Sequence, residues 1–142
     1  LRQANAGDSV FATSYVNPTL FWCTPEGDLY RQKCFELVQR RVKVTRVFIR
    51  PARADVEERR CTEDEIAKQK ASGVRVKTVL ESSLPAQCRK DFLLIPGKYV
   101  AYLGIGARGD VLEHLRVCFS TEELDTAKEL AQEIETLSIE CQ

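Results

Sequence analysis

Three short runs rich in β-branched and apolar residues, Ser9 to Tyr15, Val42 to Ile49 and Val74 to Leu80, are separated by two stretches of helical periodicity. That alternation constrains the fold more than any other feature of the chain. The links between segments are short, so the order reads β-α-β-α-β. The right-handed crossover rule turns such a string into a parallel sheet with helices packed on it. In the first helical stretch, Leu29 to Arg41, the residues Tyr30, Cys34, Leu37 and Val38 share a face, and Asp28 is the expected N-cap. In the second, Thr62-Glu63-Asp64-Glu65 fits a capping box, which predicts a helix from Thr62 to Ser72 with Gly73 as the left-handed residue after it. Pro51 to Arg60 reads as a loop.

The second half changes character. Asp91 to Ile95, the pair Pro96-Gly97, and Lys98 to Leu103 predict a tight hairpin. Val111 to Phe119 alternates through Leu115, Val117 and Phe119 and predicts a further strand. Ser120-Thr121-Glu122-Glu123 is another capping box, and Leu124, Ala127, Leu130, Ala131, Ile134 and Leu137 form the apolar stripe of a closing helix. The expected fold is α/β: a mixed sheet with a parallel first half, a C-terminal hairpin and meander, and a closing helix. With 142 residues, one domain over 9–142 is expected, preceded at 1–8 by a linker or the tail of an earlier helix.

Charge excludes several functions. Twenty-one Lys and Arg balance 21 Asp and Glu, which disfavours a protein built to coat nucleic acid or an anionic membrane. No apolar run approaches the ~20 residues that span a bilayer. The chain begins at Leu1 and contains no Met, so it is expected to be a piece of a longer protein or a processed one. Six cysteines are scattered, no two within four residues, so no zinc or redox CxxC pair exists. They read as small buried hydrophobes in a reducing, cytoplasmic setting. No metal and no cofactor is expected.

Each chemical motif has a plainer reading. Gly104-Ile105-Gly106-Ala107-Arg108-Gly109 spells GxGxxG after a strand, but the next segment reads as a strand where a dinucleotide site needs a helix, so a glycine-rich hairpin loop is favoured. The tripeptide Arg108-Gly109-Asp110 is read as chance. His114 is the only histidine; no nucleophile stands in a recognisable turn beside it, and it reads as a lightly packed strand residue. Arg40, Arg41, Lys43 and Arg46 offer a weak nucleic-acid reading, against which stands a solvated helix end. Phe21 and Trp22 fall in an unassigned segment and either pack under the sheet, which is favoured, or form a homodimer contact.

Strand ends carry the better signal. In parallel α/β sheets, ligands bind beyond the carboxyl ends of the strands. Those positions hold Thr13, Ser14 and Asn17 after the first strand, Arg50 and Arg53 after the second, and Glu81, Ser82 and Ser83 after the third. Hydroxyls, an amide and two guanidinium groups suit a small anion, so Thr13, Ser14, Asn17, Arg50 and Arg53 are the candidate ligand-binding residues.

The early strand with Ala12-Thr13-Ser14, the helix ending in Gln39-Arg40-Arg41-Val42, the strand Val44 to Ile49, the run Gly73-Val74-Arg75-Val76 and the strand Asp91-Phe92-Leu93-Leu94-Ile95 together resemble one half of a phospholipase D-like fold over roughly residues 9–138. Active members carry HxKxxxxD, in which the His attacks phosphorus and the Lys holds the phosphate. The matching spacing here holds Arg89, Asp91 and Pro96, and around His114 it holds Arg116 and Thr121. The resemblance therefore implies a non-catalytic member with no catalytic residue to carry over. It implies a sensing or protein-contact module of a larger signalling or regulatory chain, with the rest of that chain as partner and a homodimer as a further expectation. The alternative is a phosphodiesterase or other hydrolase using His114.

Overall fold

The computed structural model describes residues 4–15, 18–104 and 114–141. The sheet starts with β1 (Ser9–Ser14), which is six residues long and buried over its last five. A short helix, α1 (Pro18–Phe21), and the longer α2 (Pro25–Gln39) lead to β2 (Lys43–Arg50). Then follow α3 (Val56–Ala71), β3 (Arg75–Leu80) and two 3-10 turns at Glu81–Ser83 and Ala86–Cys88. The second half comprises β4 (Asp91–Ile95), β5 (Tyr99–Gly104), β6 (His114–Cys118), α4 (Thr121–Leu137) and a two-residue β7 (Ile139–Glu140).

The strands form one sheet in the order β6-β5-β4-β1-β2-β3-β7. β1, β2 and β3 are parallel, and every other pairing is antiparallel. The chain is therefore the mixed α/β fold that the segment order predicts. β1 sits between β2 on one side and β4 on the other, so the direction of winding reverses there.

The sheet is covered on both faces. Val10 and Ala12 of β1, Val44 and Phe48 of β2 and Val76 of β3 pack with Leu37 of α2 and Cys61 and Ile66 of α3. On the other face Phe11, Val47, Ile49, Val79, Phe92 and Leu94 pack with Ala127, Leu130, Ala131 and Ile134 of α4. Burial on both sides explains why β2 reads as a nearly continuous apolar run. Residues 4–8 pack onto this body, with Ala4 buried and Asp8 paired to Lys98 at 2.8 Å.

Two expectations are corrected. α2 starts at Pro25, capped by the Thr24 hydroxyl, which accepts from the Gly27 N–H; Asp28 lies inside the first turn. Proline suits the first helical position because its missing N–H is one that no turn would use. α3 starts at Val56, capped by Asp55, so Thr62 and Glu65 are interior residues and the second half of the expected loop is helix. Asp55 and Glu58 have the same spacing as a capping box, seven residues upstream of the one the sequence suggested. Trp22 is buried and packs on Phe21 and Tyr30, the packing that the sequence favours for this segment.

The hairpin and the closing helix of the C-terminal half follow expectation, and β6 occupies the described part of the expected strand Val111 to Phe119. Gly97, at φ 76°, closes the β4–β5 hairpin, and the Ser120 hydroxyl accepts from the Glu123 N–H to cap α4. The chain from 105 to 113, with most of the glycine-rich motif and Arg108-Gly109-Asp110, lies outside the described residues. Among the described residues no helix is long and apolar enough to cross a membrane.

Candidate functional site

Beyond the carboxyl ends of β1, β2 and β3 lies a cavity of about 200 Å³. β1 contributes Ser14 and the following Tyr15; β2 contributes Phe48, Ile49 and Arg50; Pro51 and Arg53 follow on the loop. Trp22 lies between α1 and α2, Glu58 and Thr62 come from α3, and Glu81 follows β3. Its volume is below the roughly 300–1,000 Å³ usual for drug-sized ligands, so the space suits a small molecule.

The polar groups are held in set positions. The Tyr15 hydroxyl donates to Glu81 Oε1 at 2.8 Å, while its backbone N–H donates to Asp91 Oδ1 at 2.7 Å. The bond to the Glu81 carboxylate, aided by burial, holds the Tyr15 hydroxyl above the usual phenol range, so it remains a donor at neutral pH. Arg50 pairs with Glu63 at 2.6 Å on the α3 side. Arg53 is exposed at the rim. A smaller hollow of about 180 Å³ adjoins the first and shares Arg50, Pro51 and Thr62 with it.

Behind the cavity runs a buried polar chain. Arg46 of β2 faces α2 and α3, where its Nε donates to Gln69 Oε1 at 2.9 Å and its Nη1 donates to Ser14 Oγ at 3.2 Å. Its guanidinium also lies 5.0 Å from the ring centres of both Trp22 and Tyr30. Gln69 Nε2 donates to Glu65 Oε2 at 2.8 Å, and Glu65 is gripped by Arg31, which also bonds Asp28 at 2.6 Å. Among the described residues Arg46 meets no carboxylate at ion-pair distance; two aromatic faces and neutral acceptors accommodate its charge. Ser14 and Trp22, which both line the cavity, are thus fixed from behind by one guanidinium.

Of the expected ligand-binding residues, Ser14, Arg50 and Arg53 come together in this cavity. Thr13 does not. It points to the opposite face, where its hydroxyl donates to the Lys90 carbonyl at 2.6 Å and accepts from the Phe92 N–H at 3.0 Å, tying β1 to the start of β4. Strand alternation is the reason: adjacent residues cannot face one side. Asn17 lies outside the described residues. Glu81, noted at the end of β3, lines the cavity, and its 3-10 neighbours Ser82 and Ser83 do not. Tyr15, Trp22, Phe48, Glu58 and Thr62 also line the cavity, and the sequence did not point to them as ligand-binding residues.

The expected basic run is divided. Arg46 is buried, so it cannot join Arg40, Arg41 and Lys43 in a surface for nucleic acid. Those three lie at the amino end of β2, opposite the cavity. The backbone of His114 starts β6, three strands from β1 and well away from the cavity lining. On the α4 face, a wider hollow of about 930 Å³ holds Lys90 and Arg116, but both cations stack on Tyr102, and Arg116 also meets Glu123. Among the described residues no group of three or more His, Cys, Asp or Glu is placed to hold a metal ion. No protein-family model and no curated protein matches the chain.

Proposed function

We propose that the chain is a non-catalytic module of a larger signalling or regulatory protein, and that it binds a small anionic or phosphorylated ligand between Ser14, Arg50 and Arg53. The observation that carries this reading is the convergence of those three residues on one small cavity at the carboxyl ends of the parallel strands. Two guanidinium groups offer paired donors to a phosphate or carboxylate. Glu58 and Glu81 on the same lining would repel a bare anion, so the ligand also carries hydroxyl or amine donors. The phospholipase D-like resemblance fits a module that recognises a phosphorylated group without attacking it, because Arg89, Asp91 and Pro96 stand where the family's motif requires His, Lys and Asp. The reading places the chain in the cytoplasm, where its thiols stay reduced.

Thermal unfolding with inorganic phosphate, sugar phosphates, nucleoside monophosphates and amino acids tests this. Free ligand at about 100 times Kd adds about 2.7 kcal/mol of stability. The shift is expected with at least one anion and is expected to disappear in Arg50→Ala and Arg53→Ala. If no anion shifts the midpoint, or if the shift survives both substitutions, the binding reading fails. Turnover of a phosphodiester that is lost in His114→Ala would replace it with the hydrolase alternative.

A further inference from the structure

The cavity at the carboxyl ends of β1, β2 and β3 is lined by polar groups of two opposite kinds. The donors come from the ends of β1 and β2. Arg50 closes β2, and Arg53 follows on the loop. Ser14 is the third donor. Its Oγ already accepts from Arg46 Nη1 at 3.2 Å, and a guanidinium can only donate. The Ser14 hydrogen therefore points away from Arg46 and, on a buried residue of the cavity wall, is left for an acceptor in the cavity. The acceptors come from other elements: Glu81 follows β3, and Glu58 belongs to α3. The Tyr15 hydroxyl reaches from the end of β1 past β2 to bond Glu81 Oε1 at 2.8 Å, which holds that carboxylate in place. Among the described residues no donor bonds its Oε2.

We infer, on the anion-binding reading above, that the ligand is a zwitterion, an amino acid or a phosphorylated amino acid, with its anionic group on Ser14, Arg50 and Arg53 and its ammonium on Glu81 and Glu58. Charge decides between an ammonium and a hydroxyl. Two guanidinium groups and two carboxylates share the lining, and Glu63, paired with Arg50 at 2.6 Å, adds a third carboxylate. Among the described residues the cavity thus offers no excess of positive charge, and a bare anion drawn to the arginines is pushed back by the glutamates. A hydroxyl satisfies the hydrogen bonding of a carboxylate but brings no charge against it. An ammonium brings both, and charge-assisted hydrogen bonds are about twice as strong as neutral ones.

Trp22 does not compete for the ammonium. Its ring already faces the guanidinium groups of Arg46 at 5.0 Å and Arg31 at 5.9 Å, so the indole supplies an apolar wall and the carboxylates supply the seat. A cavity of about 200 Å³ limits the ligand to a compact molecule. Two pairs of compounds isolate the ammonium. Serine and glycerate differ only in ammonium for hydroxyl, and so do O-phosphoserine and the corresponding phosphoglycerate. Tighter binding of the second pair assigns the arginines to a phosphate; equal binding assigns them to the carboxylate that all four share.

Isothermal titration calorimetry on the full chain gives Kd for all four compounds and for inorganic phosphate. In at least one pair the ammonium compound is expected to bind about tenfold or more tighter than its hydroxyl counterpart. That preference should vanish in Glu81→Gln or in Glu58→Gln, while the hydroxyl compound binds as well as before or better, which also shows that the variant is folded. A hydroxyl compound that binds as tightly as its ammonium counterpart in both pairs would overturn the zwitterion and leave the anion-binding reading standing. Binding of inorganic phosphate with none of the four would do the same. A preference that survives both substitutions would overturn the seat on Glu81 and Glu58. If neither phosphate nor any of the four binds, both readings fall together.

Discussion

Glu65 is the residue on which the buried charges depend. It is almost without solvent exposure, accepts from Arg31 through both oxygens, and takes a further bond from Gln69, which in turn holds Arg46. Removing it leaves the Arg31 guanidinium buried with only the more exposed Asp28 as counter-ion. Glu65→Ala is expected to lower unfolding free energy by about 3–5 kcal/mol, the usual cost of stranding one member of a buried pair. Urea denaturation checks this; a loss under about 1 kcal/mol would mean that water enters and replaces the carboxylate. Tyr30 supplies a pH test. Burial pushes its hydroxyl up to about 12 from the ordinary 10, although Arg46 acts in the opposite direction. Its contribution is therefore whole below pH 10 and is lost as pH climbs through 12, because the unfolded chain gives up this proton first. The loss is on the order of 2 kcal/mol. Tyr30→Phe should flatten the fall in stability across that window, read from urea midpoints at each pH. Grouping Arg46 with Arg40 and Lys43 as one basic run hides this arrangement. The parity was available in the sequence: Val44, Arg46 and Phe48 alternate onto one face, and that face lies under two helices.

At the scale of elements, local signals located the strands well and the helix starts poorly. The two capping boxes looked equivalent. Ser120 does cap α4, whereas Thr62 lies in the interior of α3 because Asp55 has already capped it. Ser120→Ala should therefore cost about 1 kcal/mol. Thr62→Ala should cost no cap bond, and comparing the two urea midpoints decides the point. The earlier start of α3 is also why the site was only half legible: it carries Glu58 to the cavity, a position that a loop would not have fixed. β7 escaped notice for a different reason. Two residues give no periodicity, and Ile139–Glu140 is recognisable only from its pairing with Lys77 and Thr78. Gly27 offers a sharper test of packing between elements. A Cβ there would stand 2.2 Å from the Phe21 carbonyl oxygen, so α1 approaches α2 only because that atom is missing. Helix propensity alone favours alanine over glycine by about 1 kcal/mol. The clash costs about 1–3 kcal/mol or more, since backbone has to move. Gly27→Ala is expected to destabilise, and a stabilised variant would show that α1 yields freely.

For the whole molecule, the parallel core was legible because its rules are global: short links, handed crossovers and two buried faces leave few arrangements. Those rules also found the carboxyl-end crevice before any side chain was placed, which is why Ser14, Arg50 and Arg53 were within reach of sequence reasoning. They do not say how well each edge is protected. β1 and β2 lie inside the sheet, with α2 and α3 on one face and α4 on the other. β7 at one edge has two exposed residues, and at the other edge β6 leaves Leu115 and Val117 at 63% and 40% exposure, with Phe119 just after it at 63%. Opening free energy follows the cover over each ladder, because an amide exchanges once its bond breaks and water arrives. Amides of β1 and β2 should thus exchange only with global unfolding, while those of β6 and β7 exchange earlier through local opening. Hydrogen exchange across a series of low urea concentrations separates these cases, since global opening depends steeply on denaturant and local opening hardly at all. If β6 were as slow and as denaturant-sensitive as β1, its apolar face would have to be covered in solution by something other than the packing described for this chain.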